Sequence, residues 1–183
     1  MFKNKYQPNF RNNKFSSDKG RSNFRVRGPI KSFRDLEVYT KTTALSADIF
    51  SLQCSQISGL EEELGLLKNL SKHVPKMIAE SYGNRFDSIK LAEKKLEKTA
   101  ELITAVISKV DFILSVVRKK QELTASQPSP EKEKEKTAPV ADQGLEDFKK
   151  KIESLLKEYS TVRTKVLNLK KAWVRINETF KKN

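Results

Sequence analysis

Large apolar residues recur every three or four positions toward the end of this 183-residue chain, at Leu145, Phe148, Ile152, Leu155, Tyr159, Val162, Val166, Leu169, Trp173, Ile176 and Phe180. That spacing is one face of one long helix. A second ladder has the same period: Ile89, Ala92, Leu96, Thr99, Ile103, Val106, Val110, Ile113 and Val117. Each stripe is disfavoured in water, so both helices must bury it against partners. Two shorter sets upstream supply them: Phe33, Leu36, Thr40, Thr43, Ala47, Phe50 and Cys54, then Leu60, Leu64, Leu67, Leu70, Val74 and Ile78. Ser32 with Asp35, and Ser58 with Glu61, form capping boxes that satisfy the free backbone donors of each first turn. Gly83, which tolerates left-handed backbone, marks the end of the second helix, and Asp87 is an N-cap for the third.

These elements predict an all-α, up-down-up-down antiparallel four-helix bundle over residues 32–183, with helices at 33–56, 59–82, 87–120 and 145–180. The short link near residues 55–58 forces the first two into a hairpin. That hairpin sets Arg34 opposite Glu80 and Lys41 opposite His73, with Arg34 and Glu80 either paired or both solvated. Pro75 removes a backbone donor inside the second helix, bends it, and leaves the carbonyl of Ser71 to find water or a side chain. Helices three and four are the longer pair, so they overhang where three ends and four begins. Arg118, Lys119 and Lys120 then meet Lys149, Lys150 and Lys151 as a basic knob.

Charge changes the picture at the ends. The net +14 divides into +8 for residues 1–32, +2 for 33–120, −2 for 121–144 and +6 for 145–183. Residues 1–31 carry no apolar period and cannot bury enough surface to offset ordering, so a disordered basic tail is expected. Within it Lys3, Lys5, Arg11, Lys14, Lys19, Arg21, Arg25 and Arg27 alternate with Phe10, Phe15 and Phe24. Residues 121–144, with Pro128, Pro130, Pro139 and alternating Glu and Lys, read as a flexible linker. It is long enough for helix four to return to its own bundle or to join a neighbour's.

Chemistry at a catalytic centre needs convergent groups, and one His and one Cys supply few. His73 lacks the Glu-x-x-His partner of a bundle metal site, Cys54 reads as a core residue, and no phosphate-binding loop or nucleophile elbow occurs. A non-enzymatic protein without cofactor, metal or small-molecule substrate is expected. The single cysteine and the lack of any membrane span or signal segment fit a cytoplasmic protein.

Two stretches carry a resemblance. Phe33-Arg34-Asp35-Leu36-Glu37-Val38-Tyr39-Thr40-Lys41, and Val74-Pro75-Lys76-Met77-Ile78-Ala79-Glu80-Ser81-Tyr82-Gly83-Asn84-Arg85, resemble the 23S ribosomal RNA intervening-sequence protein family, also called four-helix bundle proteins. Met77 and Ser81 stand where that family usually has Asn and Gly. The resemblance implies a homopentameric bundle and a link to the accessory proteins of diversity-generating retroelements, which bind a reverse transcriptase and nucleic acid.

Binding is the function these features favour. The tail cations neutralise phosphates while its aromatics stack on unpaired bases, which suits RNA or single-stranded nucleic acid. Lys150, Lys157, Lys171, Arg175 and Lys182 on the polar face of helix four join the tail and the knob. The competing expectation is a structural or adaptor protein that meets a protein partner through its helix surfaces, the tail being incidental.

Overall fold

The computed structural model describes residues 30–55, 57–126 and 140–182. The tail cations and aromatics, Lys3 to Arg27, therefore lie outside the described residues, as does most of the expected linker. After a 3-10 turn at Phe33–Asp35, four helices follow in order: α1 (Glu37–Phe50), α2 (Leu60–Asp87), α3 (Ile89–Ser126) and α4 (Val140–Lys182). Consecutive helices pack on one another and α4 closes back on α1, so the fold is the all-α four-helix bundle that the ladders predict, and α4 joins its own chain.

The α3 ladder is buried from Ala92 to Val117, and the α4 ladder is buried or half-buried from Leu145 to Trp173. Ile176 departs from the ladder and is exposed, level with the first turn of α3.

Helix one corrects the expectation most. Ser32 and Asp35 do form a capping box, but it closes the 3-10 turn, and Leu36 in extended conformation separates that turn from α1. Counting a helical period through Leu36 therefore loses phase. The buried face of α1 is Val38, Thr42, Leu45, Ser46 and Ile49, while Thr40, Thr43, Ala47 and Phe50 face solvent. The helix also stops at Phe50, and Leu52, Cys54 and Ile57 pack into the core from the connection that follows.

That connection ends at Gly59, whose φ of 82° is left-handed backbone that a side chain would strain. Gly59, and not the Ser58–Glu61 box, is the N-cap of α2. Gly83, expected as a left-handed stop, lies inside α2, which continues for one more turn to Asp87. Ser88 instead separates α2 from α3, and its hydroxyl accepts from the backbone N–H of Leu91 at 3.4 Å. Thus Asp87 closes α2 and does not cap α3. The expected linker is shorter too: α3 runs past Lys120 to Ser126, and α4 begins at Val140.

One polar node crosses the core. Pro75 denies the Ser71 carbonyl its helical donor, and the Ser46 hydroxyl of α1 donates to that carbonyl at 2.9 Å. The Tyr159 hydroxyl of α4 is buried near Ser46 without a hydrogen-bond partner, and burial pushes the phenol up to about 12.

Candidate nucleic-acid interface

The bundle has two unlike ends. At the first, α3 and α4 run past the start of α2, which Glu63 and Lys109 mark with an ion pair of 2.6 Å. The overhang comprises about a dozen residues of α3, or about 18 Å. Val117, Leu145 and Phe148 are buried within it. Arg118 donates to Glu153 at 3.0 Å and Gln121 to Glu146 at 3.0 Å, so the two lysine-rich triplets do sit at one level.

The knob expected there is interleaved with acid. Arg118 pairs with Glu153, Lys119 with Glu122 at 3.2 Å and Lys149 with Glu146 at 3.6 Å. Lys120, Lys150 and Lys151 make no ion pair with a described residue. Glu146 is held below the usual carboxylate range, chiefly by the Gln121 amide and then by Lys149 and Lys150, so it stays charged and keeps screening the cluster. Lys151 points into a groove between α1 and α4 that Asp48 and Glu158 also line.

At the second end, the α2–α3 corner meets the last turns of α4 and the 3-10 turn through which the chain enters at Ile30. The Arg85 guanidinium lies over three rings, 5.3 Å from the centroid of Tyr82, 5.2 Å from Phe86 and 5.3 Å from Trp173. Trp173 is buried, whereas Phe86 is 68% exposed, with Leu91 and Ile176 also exposed beside it in the fold. Lys90, Lys94, Lys171 and Arg175 are exposed here and none has a carboxylate partner among the described residues. The local acids are Asp87, Glu178 and Asp35, whose carboxylate accepts from the backbone N–H groups of Lys31 and Ser32, together with Glu93, which is engaged by Lys170.

Between the ends, charge is largely matched across helices. Lys41 donates to Glu158 at 2.9 Å, Lys165 pairs with Glu37, and Lys170 donates to Glu97 at 2.5 Å. The Lys41 hydrogen bond lowers the pKa of Glu158 and raises that of Lys41, and Glu97 raises that of Lys170. Arg163 donates to the Thr104 hydroxyl at 2.8 Å.

The expected Arg34–Glu80 pair does not form. Lys95 of α3 reaches Glu80 at 2.5 Å and lowers its pKa, with Lys76 at 3.8 Å, while Arg34 lies over Phe33 at 5.8 Å. Extended Leu36 turns Arg34 off the α1 face that would meet α2. His73, expected opposite Lys41, is exposed, and Lys41 faces α4. Lys150, Lys157, Lys171 and Arg175 are exposed along α4 as expected, and the Lys182 side chain lies outside those described. Among the described residues no group of three or more His, Cys, Asp or Glu side chains is placed to hold a metal ion, and no helix is long and apolar enough to cross a membrane.

No family model matches this chain, and neither a curated protein nor a solved structure is significantly similar to it. The four-helix fold thus rests on its own buried ladders.

Arg85, Phe86, Lys90 and Lys94 escaped the reading of the sequence. Taking Gly83 as a helix stop leaves Arg85 and Phe86 in a loop; extending the helix places Tyr82, Arg85 and Phe86 on neighbouring turns. The signal available was the aromatic–basic spacing itself, and its meeting with Trp173 is tertiary.

Proposed function

We propose that this chain is a non-enzymatic helical bundle that binds RNA or other single-stranded nucleic acid through its α2–α3 corner, the polar face of α4 and the basic segment preceding Ile30. The observation that carries the proposal is the set of exposed cations, Lys90, Lys94, Lys171 and Arg175, which have no carboxylate partner among the described residues and lie at the end where that segment enters the bundle. Exposed like charges are tolerated because they are solvated, and they bind a polyanion by releasing its counterions. Resemblance to the 23S ribosomal RNA intervening-sequence proteins supports the same reading, and with it a homopentamer that serves a reverse transcriptase. A pentamer would place five such ends in one particle, and effective concentration would strengthen each weak contact.

A direct test measures the full chain against a labelled single strand and a duplex of equal length. If roughly six to ten phosphates are met, affinity falls about a thousandfold or more between 50 and 200 mM salt. No binding at 50 mM would overturn the proposal, and removing residues 1–29 measures their share of the affinity. Mass in solution reports the subunit count.

One feature favours the adaptor reading. Leu66 and Phe112 are exposed on α2 and α3, each one turn from the Glu63–Lys109 pair, and they offer an apolar contact for a protein partner.

A further inference from the structure

Phe86 is the most exposed of the large apolar side chains described, yet its ring is in contact with two neighbours. It meets Tyr82 edge-on, with centroids 5.3 Å apart and planes at 80°, and Arg85 holds its guanidinium over both rings and over Trp173. Three aromatic–cation contacts on one arginine make a continuous ledge. Burial does not explain it, since the outer face of Phe86 remains in water. Nor does ion pairing, since Arg85 has no carboxylate partner among the described residues.

We propose that the Phe86–Arg85 ledge is a stacking platform for unpaired nucleobases, and that it gives the bundle its preference for single strands over duplex. The inference rests on the nucleic-acid reading above and supplies the element that reading lacks, a site that recognises bases and not phosphates alone. A base has a π face that both an aromatic ring and a guanidinium accept, without regard to sequence. In a duplex those faces are covered by neighbouring pairs, so only an unpaired base reaches the ledge. Lys90 and Lys94 in the first turns of α3, and Lys171 and Arg175 on the outer face of α4, are exposed at the same end of the bundle and would draw the phosphates of a bound strand toward it. Asp35, Asp87 and Glu178 oppose them, but five cations without a carboxylate partner among the described residues, Arg85 included, outnumber these three carboxylates. The flanking charge argues against an apolar protein partner for this face and for a polyanion.

The experiment compares the full chain with Phe86→Ala and Phe86→Tyr against a 12-nucleotide oligouridine and an RNA duplex, by fluorescence anisotropy across a salt series. Phe86→Ala should weaken oligouridine binding about tenfold, leave duplex affinity within about twofold and leave the salt slope unchanged, because stacking releases no counterion. Phe86→Tyr keeps a ring and should bind like the parent. Trp173, the chain's single tryptophan, reports the same event: oligouridine should change its emission in the parent and less in Phe86→Ala. Equal oligouridine affinity for Phe86→Ala and parent overturns the ledge and leaves the wider reading standing. Absence of any RNA binding by the parent removes both. Equal losses on single strand and duplex, or a change of solution mass in Phe86→Ala, make this face a contact of another kind and overturn the ledge.

Discussion

The two ends of this bundle carry similar numbers of cations and put them to opposite uses. At the overhang, Arg118, Lys119 and Lys149 each reach a carboxylate, and the apolar residues Leu145 and Phe148 are buried between two helices. At the α2–α3 corner, the cations stand beside exposed Phe86, Leu91 and Ile176 with no carboxylate partner among the described residues. One end is the more closed in charge and in apolar surface, although Lys120, Lys150 and Lys151 have no ion-pair partner among the described residues and Leu123 is exposed; the other is open in both. Counting lysines and arginines along the chain therefore does not locate a polyanion site, since what matters is which cations have already been claimed.

Stability should separate the ends most sharply. Phe148→Ala empties a buried site between α3 and α4 and should cost about 3–5 kcal/mol in chemical denaturation. Phe86→Ala removes an exposed ring and should cost less than about 1 kcal/mol. Similar losses from both would mean that the corner is packed as tightly as the overhang, and the contrast would fail.

Affinity should separate them in the reverse sense. Neutralising Lys171→Gln with Arg175→Gln removes two phosphate contacts and should lower nucleic-acid affinity roughly 10- to 50-fold at 0.1 M salt, with a shallower salt slope. The same pair of changes at Arg118 and Lys149, which are already matched by Glu153 and Glu146, should alter it less than about twofold. Gel shift or anisotropy decides between these outcomes.

Much of the fold was legible because α3 and α4 bury nearly unbroken ladders, and a stripe nine or more positions long fixes its own phase. Helix one was misread because a single extended residue, Leu36, resets the phase of a short helix, and nothing local in Phe33-Arg34-Asp35-Leu36 announces it. Gly83 was misread because a glycine ends a helix only where its backbone turns left-handed; among the described glycines Gly59 does so, and Gly83 stays helical. The candidate site was less legible than the fold. Lys171 and Arg175 were visible as an exposed face, but the claim of Glu153 on Arg118 and the meeting of Arg85 with Trp173 depend on the register between distant helices.

Both ends hold their positions through the middle of the bundle, where Ser46 donates to the carbonyl that Pro75 leaves bare. Ser46→Ala should cost about 1–3 kcal/mol, because the buried Ser71 carbonyl loses its donor. In a Pro75→Ala background the backbone N–H at position 75 returns, and the cost of Ser46→Ala should shrink by about 1 kcal/mol. Additive effects in this double-mutant cycle would show that the two residues do not share the carbonyl.

The smallest effect tests the comparison from the other side, by making the closed end resemble the open one. Glu146→Gln with Glu153→Gln releases Lys149 and Arg118 from their partners without moving the helices. At pH 7 this should raise nucleic-acid affinity roughly threefold to tenfold and steepen the salt slope by about one to two units. The parent should not gain the same release by mild acidification. Gln121 and Lys149 hold Glu146 below its ordinary range, so its favourable interactions are complete above the unfolded value near 4.5 and disappear only as pH falls through the depressed folded value. Glu80 and Glu158 are lowered by Lys95 and Lys41 and follow the same sign. Stability linked to these three groups should therefore be flat from pH 7 to 5 and decline only below about 4.5. If the doubly neutralised variant binds no better than the parent at pH 7, acid interleaving is not what keeps the overhang from gripping a polyanion, and the ends differ by shape alone.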